Sequence, residues 1–179
     1  MEATSIDYKR FFNARHSIRE FSNEEVSLCK IKEAIDISRK YPSVCNRQAI
    51  KVYLVTSEDL IRDCLSYQNG NRGFGDKINK LAIIVGDIGF FSGGSERNQV
   101  YIDGGIYLMG FLLALHSQGL GAVALNWSMS KQDDIRFRQA DIVKDNEVII
   151  SFVGIGNLKS ENIVPMSVRN ESSDILTVL

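Results

Sequence analysis

A chain of 179 residues is long enough to bury a hydrophobic core, and its 44% hydrophobic and 24% charged content is that of an ordinary globular protein. With 21 basic and 22 acidic residues the net charge is −1, so no general pull draws the chain to nucleic acid or anionic lipid, and any anion site has to be local. Cys29, Cys45 and Cys64 are an odd set without C-x-x-C spacing and His16 and His116 are the only histidines, which argues for reduced thiols and against a disulfide framework or a zinc or iron cluster.

In chain order, the polar stretch Met1 to Asp7 does not read as a signal peptide. Residues 5–13 place Ile6, Tyr8, Phe11 and Phe12 at amphipathic spacing and predict a short helix. Ser22 is placed to cap a second helix, with Glu24 and Glu25 in a first turn whose dipole favours acid. Its apolar stripe runs from Val26 to Ile37, and the helix is expected to stop near Tyr41, since the residue before Pro42 disfavours helical geometry. Ile50 to Thr56 reads as a strand, Glu58 to Tyr67 as a helix, Gln68 to Gly75 as a loop, and Leu81 to Gly86 as a buried strand.

A loop over 87–96 precedes a long helix from Gln99 to Gln118 that carries little charge and is apolar on nearly all sides, so it is predicted to be deeply buried. Gly104, Gly105 and Gly110 permit close backbone approach, and burial by a partner subunit accounts for such a helix better than a monomer surface does. Its central apolar run, Ile106 to Leu115, is too short to span a bilayer. Gly119 and Gly121 end it, Ala122 to Leu125 forms a short strand, and Ser130 to Gln139 a polar surface helix on which Arg138 is expected to be uninvolved in any site. Glu147 to Gly154 is another buried strand, and an extended tail runs from Lys159 to Leu179. No repeat, low-complexity segment or linker interrupts the chain. Residues 1–179 are therefore expected to form a single domain, an α+β fold with a central sheet, located in the cytoplasm.

Four stretches carry candidate chemistry. Arg15-His16-Ser17-Ile18-Arg19 sets two guanidinium forks and a hydroxyl in a short span, which suits a ligand with a phosphate at one end and carbonyls at the other. Pro42-Ser43-Val44-Cys45-Asn46-Arg47-Gln48 offers small and amide side chains on a loop held between a helix and a strand. Asp103-Gly104-Gly105 and Gly119-Leu120-Gly121 bracket the long helix, but they do not follow a strand in G-x-G-x-x-G order and are assigned to packing. Pro165-Met166-Ser167-Val168-Arg169 carries a late arginine able to reach a phosphate. Each alone also fits a simpler account: a solvated basic helix end, a helix stop with a turn, packing glycines, a surface arginine on a tail.

Together, in order and spacing, they resemble the nitroreductase family of flavoproteins. That family shows R-[RH]-S-x-[RK] after a first short helix, here Arg15 to Arg19, and about thirty residues later P-S-x-x-N-x-Q, here Pro42 to Gln48. A D-x-G start to a long helix that ends in a G-L-G turn and a strand follows, here Asp103 to Leu125. A late strand ends in V-G-x-G, here Val153 to Gly156, ahead of P-x-S-x-R, here Pro165 to Arg169. The chain departs from the pattern at Ala49 and Ile50, where the family has proline and an aromatic, and at Ser167, where a second basic residue is common. It is short for the family, with a minimal lid over about 87–98.

The resemblance implies a mostly antiparallel central sheet flanked by helices, with the long helix at a homodimer interface, and FMN as cofactor with NAD(P)H as co-substrate. It implies that Arg15 and Ser17 bind the FMN phosphate and ribityl chain, that His16 lines the same region and that Arg19 faces the pyrimidine end. Pro42, Ser43 and Asn46 then contact the flavin from the other subunit, Asn126 and Trp127 lie where a backbone donor meets the central ring, and Arg169 closes on the phosphate. A further contact is expected in the Gln68 to Gly75 loop. The reaction implied is hydride transfer from NAD(P)H through FMN to a small organic acceptor, a nitro compound, quinone or related metabolite, without a membrane or nucleic-acid partner. Two alternatives stay open: an FMN-dependent dehydrogenase or dehalogenase of one metabolite, and a flavin-binding dimer without turnover.

Overall fold

The computed structural model describes residues 6–179. Four strands, β1 (Ile50–Val55), β2 (Lys80–Asp87), β3 (Leu120–Leu125) and β4 (Glu147–Asn157), form one antiparallel sheet in the order β1-β2-β4-β3. The two central strands are the apolar, β-branched runs seen in the sequence, and all eight residues of β2 are buried. Strands covered on both faces need no polar alternation, which is why these runs are continuous.

Six helices are present among the described residues: α1 (Tyr8–Ala14), α2 (Leu28–Ser38), α3 (Glu58–Ser66), α4 (Gln99–Ser117), α5 (Lys131–Arg138) and α6 (Ser172–Ile175). One face of the sheet packs on α2 and α4 through Ile31, Ala34, Tyr107, Phe111 and Ala114. The other packs on α3 and α5 through Ile61, Leu65, Phe137 and Phe152. Gly104 is what brings α4 onto β4, since a Cβ there would lie 2.7 Å from Ile150.

Several expectations shift. The second helix starts at Leu28 with Ser27 as its N-cap, not at Ser22. The residues before it are held extended: Val26 N–H donates to Asn79 Oδ1 at 2.9 Å, Glu25 pairs with Lys80, and Ser22 N–H donates to the Asn157 carbonyl at 2.9 Å. Pairing with β4 outweighs the local capping preference of Ser22. The polar helix α5 is not wholly a surface element. Phe137 is fully buried, and Arg138 is bound into the turn before β4 through Asp134 at 2.8 Å and the Lys144 and Glu147 carbonyls at 3.0 and 2.9 Å.

The long helix is buried on one side only within the chain. Tyr101, Ile102 and Ile106 on its other side are 52%, 53% and 41% exposed. Of its three glycines, Gly105 and Gly110 have nothing close to where a Cβ would stand. The helical stretch Gly94–Ser117 is long and apolar enough to cross a membrane by length and composition, which the shorter run Ile106 to Leu115 did not suggest, yet its inner side packs on the sheet.

Candidate functional site

Residues 15–22 are extended and lie along the outer edge of β3. Ser17 bridges Ala122 in parallel, Ile18 N–H donates to the Ala122 carbonyl at 3.0 Å, and Phe21 bridges Leu158. Two hydrophobic anchors hold the segment there: Ile18 and Phe21 are 9% and 2% exposed and enter the core. Gly156 makes room for the second, since a Cβ at that position would meet the Phe21 ring at 2.5 Å. Ile18 and Phe21, three residues apart, both face inward; Arg15 also lines a cavity beside Ile18, and Arg19 is exposed.

Arg15 is half-buried, and its Nε is buried with no hydrogen-bond partner among the described residues. An unanswered buried donor of this kind costs about 1–3 kcal/mol until something accepts from it. His16 is exposed. The Arg19 guanidinium lies 5.9 Å from the centre of the Phe74 ring, within cation–π range. Phe74 belongs to the Gln68 to Gly75 loop, so the structure brings that loop to the arginine segment. Gln68, only 4% exposed, ties the same loop to the end of β3: its Nε2 donates to the Asn126 carbonyl at 3.1 Å. Glu20 closes the arrangement from below, accepting from Lys77 and Lys159 at 2.7 Å each, and those two ammoniums hold its carboxyl down to about 2.

Asn126 and Trp127 follow β3 directly. The Trp127 side chain is committed to the core: Nε1 donates to Asp134 Oδ1 at 2.8 Å, and the indole stacks on Phe152 with centroids 4.8 Å apart. Only its backbone remains to meet a ligand. Asn126 Oδ1 accepts from Ser128 N–H at 3.0 Å.

Pro42, Ser43 and Asn46 lie elsewhere. Their loop precedes β1, at the opposite edge of the sheet from β3. It is tightly shaped, with positive φ at Cys45, Asn46 and Gln48 of 49°, 54° and 52°. Asp103, 1% exposed near the start of α4, pins it by accepting from Val44 N–H at 3.2 and 3.3 Å while also accepting from Gln99 Nε2 at 2.9 Å. Ser43 Oγ accepts from Gln48 N–H at 3.1 Å. Arg47 of the loop pairs with Glu96 at 2.8 Å and covers the Phe91 ring at 5.4 Å, which ties the short 88–98 segment to the loop. Arg169 is brought to neither group. It is exposed on the tail and donates to the Ser167 carbonyl at 3.1 Å.

Three interstrand steps separate β1 from β3, roughly 14 Å. One chain therefore presents two half-sites, an arginine segment at one sheet edge and an amide-bearing loop at the other.

Compared with known sequence families, residues 13–84 match the model of the Nitroreductase family. That stretch is similar to the nitroreductase family over 72 of the 179 residues. It takes in the Arg15–Arg19 segment, the Pro42–Gln48 loop and the Phe74 loop; Asn126, Trp127 and Arg169 fall outside it. No curated protein gives a significant match.

The fold is the nitroreductase fold throughout. A Desulfovibrio desulfuricans structure, carried under a nitroreductase name and in complex with FMN, superposes with a TM-score of 0.82 at 18% identity over 97% of this chain and 97% of that one. A nitroreductase family protein from Streptococcus pneumoniae gives 0.79 at 15% identity over 97% and 100%. A Staphylococcus epidermidis protein assigned the name NAD(P)H:FMN oxidoreductase gives 0.81 at 19% identity over 97% and 96%.

Sequence reasoning missed the nitroreductase-fold chain's supporting residues. Asp103 was noted only as part of a helix start, and Gln68 and Phe74 only as loop. A buried glutamine has no sequence signature, because its burial depends on a carbonyl 58 residues away. The aromatic in a glycine- and asparagine-rich loop was the available signal for Phe74.

Proposed function

We propose that residues 1–179 form one FMN-binding domain and that the protein is a cytoplasmic oxidoreductase. It takes hydride from NAD(P)H and, through bound FMN, reduces a small organic acceptor such as a nitro compound or quinone. The observation that carries this reading is the display of Arg15, Ser17 and Arg19 on one extended segment, with the Arg15 Nε buried and unanswered among the described residues. The FMN of the Desulfovibrio desulfuricans structure and the assigned name of the Staphylococcus epidermidis protein point the same way.

FMN supplies the hydride chemistry when bound. The chain supplies binding, orientation and charge. Arg15 and Ser17 donate to the phosphate and ribityl end, with His16 lining that region and Arg169 closing over it. Arg19, backed by Phe74, holds a fixed positive charge at the pyrimidine end, where exclusion of water strengthens it. Asn126 and Trp127 offer backbone groups to the central ring. No side chain acts as nucleophile or proton donor.

Pro42, Ser43 and Asn46 reach the flavin from a second copy of the chain. Their place at the far sheet edge supports this, and so does the apolar surface left open. A groove of about 590 Å3 lined by Phe11, Tyr41, Ile106, Met109 and Leu113 runs beside α4. Ile163, Met166, Val168 and Val178 of the tail are 82–94% exposed. An apolar groove of this size supports an interface there.

Purified protein should be yellow or should take up added FMN, and should oxidise NADH or NADPH in the presence of a quinone or nitroaromatic. A colourless protein that also fails to take up FMN sinks the reading. The alternative of a dehydrogenase or dehalogenase for one metabolite is favoured by one observation, the clamp of Arg47 on Glu96 and Phe91 that holds the 88–98 segment close. Broad turnover of quinones and nitroaromatics would exclude it.

A further inference from the structure

Behind the arginine segment a small cavity of about 60 Å3 opens between α1, the last turns of α4 and the start of β3. By the roughly 15 Å3 that one water needs, it accommodates a group of about four heavy atoms, the head of a tetrahedral oxyanion and not a ring system. Arg15, His16 and His116 line it together with Leu112, Leu120 and Leu158. The Arg15 Nε, buried without a partner among the described residues, is a donor that an anion there could answer.

His116 has been given no role so far. It stands in the last turn of α4, where the helix dipole favours a cation, with its ring 4.9 Å from that of Phe11. Burial first, then the charge of Arg15, hold its pKa below the ordinary histidine value; a hydrogen bond to the Phe11 backbone pulls the other way, and His16 adds the smallest downward push. Among the described residues, no carboxylate is among the charged groups that face it. The other walls are uncharged: Ala14 at the end of α1, Ile18, Leu112 of α4, Leu120 and Ala122 of β3, and Leu158 after β4. An anion entering the cavity favours the protonated imidazole.

We propose that Arg15, His16 and His116 form one anion site for a phosphate group, in which His116 takes up a proton as the anion enters and becomes a cationic donor beside Arg15. For the identity of the natural ligand the proposal rests on the flavin reading: the phosphate comes from FMN or from free phosphate. The two sources share their chemistry and separate by experiment.

Because the chain has only two histidines, the test is a titration of the imidazole nitrogen resonances of 15N-histidine-labelled full-length protein, assigned with His16→Gln and His116→Gln. Sulfate is the first probe, since its charge is constant from pH 5 to 8. Saturating sulfate should raise the His116 midpoint by about one unit, and sulfate should bind about tenfold more tightly below that midpoint than above it. His116→Gln should flatten this pH dependence. FMN should raise the midpoint as sulfate does, and riboflavin, which lacks the phosphate, should not.

The proposal is overturned if sulfate or FMN binds and the His116 midpoint stays in place, if riboflavin moves it as far as FMN, or if sulfate at high concentration leaves both histidines unmoved. If sulfate moves His116 but FMN does not bind, the site stands with a free anion as its ligand and the flavin reading falls. If FMN binds without moving His116, the flavin reading stands and this proposal falls. Should His116→Gln not fold, the titration of the unaltered protein decides alone.

Discussion

Two polar clusters at the sheet are satisfied in opposite ways. Where β1 begins and β2 ends, the fully buried Glu147 accepts from Tyr53 Oη at 2.8 Å, Lys51 Nζ at 3.1 Å and Lys144 N–H at 3.0 Å. Asp87 beside it accepts from Asn146 Nδ2 at 2.7 Å, Gly89 N–H at 2.9 Å and Lys51 at 3.2 Å. Burial alone would raise both carboxyls, but these donors outweigh it and hold both below their ordinary values. Along the edge of β3, by contrast, Arg15 keeps an unanswered buried nitrogen, and Arg19 has the Phe74 ring against it. Charges answered inside the chain serve the fold. Charges held in place but left unanswered are available to a ligand.

That contrast can be broken from either side. The largest expected effect is at the answered cluster. Glu147→Ala strands the Lys51 and Tyr53 donors and should cost about 3 kcal/mol in denaturant unfolding, while any FMN that the folded fraction binds is held as before. A stability change under about 0.5 kcal/mol would remove the distinction.

Next comes the unanswered cluster. Arg19→Ala should weaken FMN retention about 10- to 100-fold, the worth of one charge-assisted hydrogen bond, with unfolding midpoints nearly unchanged. The control is Arg62→Ala. Its side chain is 69% exposed and pairs only with Glu58 and Asp59 on its own helix, so neither flavin binding nor stability should change by more than about 0.5 kcal/mol. Arg138 would be a poor control because it is bonded into the 144–147 turn.

Asp103→Ala sharpens the comparison at the second half-site, because this carboxylate answers a loop that itself faces a ligand. It should lose about 1–2 kcal/mol of stability and also loosen FMN several-fold, through release of the Val44 N–H. Loss of stability with unchanged FMN affinity would detach the loop from the site.

The smallest effect is at Glu20, which is exposed but doubly paired. Its carboxyl titrates at about 2 in the folded chain against an ordinary 4.5, so its contribution is complete above about pH 4.5 and is lost as pH falls through about 2. The stability difference between the native chain and Glu20→Gln should shrink across that window, and a constant difference would show that the lysines do not act on Glu20.

Much of this was legible in residue order. The strands at Ile50–Val55 and Lys80–Asp87 announce themselves by β-branched runs, and α4 by its length and lack of charge. The arginine pentapeptide stood out because a local cluster of fixed charges needs no tertiary knowledge to notice. The start of α2 was misplaced because Ser22 to Val26 are claimed by Asn157, Asn79 and Lys80, partners more than fifty residues away. The burial of α4 was overread for a related reason: composition shows that a helix is apolar all round, but not whether its outer side meets the same chain or a second copy.

The sequence by itself determined which residues carry charge near a candidate ligand, Arg15 to Arg19, since side-chain chemistry and short spacing are properties of the chain as written. Only the tertiary structure decided that this stretch bridges to Ala122 at the edge of β3, that Phe74 backs Arg19, that Asp103 holds the Pro42–Gln48 loop at the opposite edge of the sheet, and that His116 shares a cavity with Arg15. Those relations join residues dozens of positions apart. They arise from packing two helical layers on one sheet, and no local pattern encodes them.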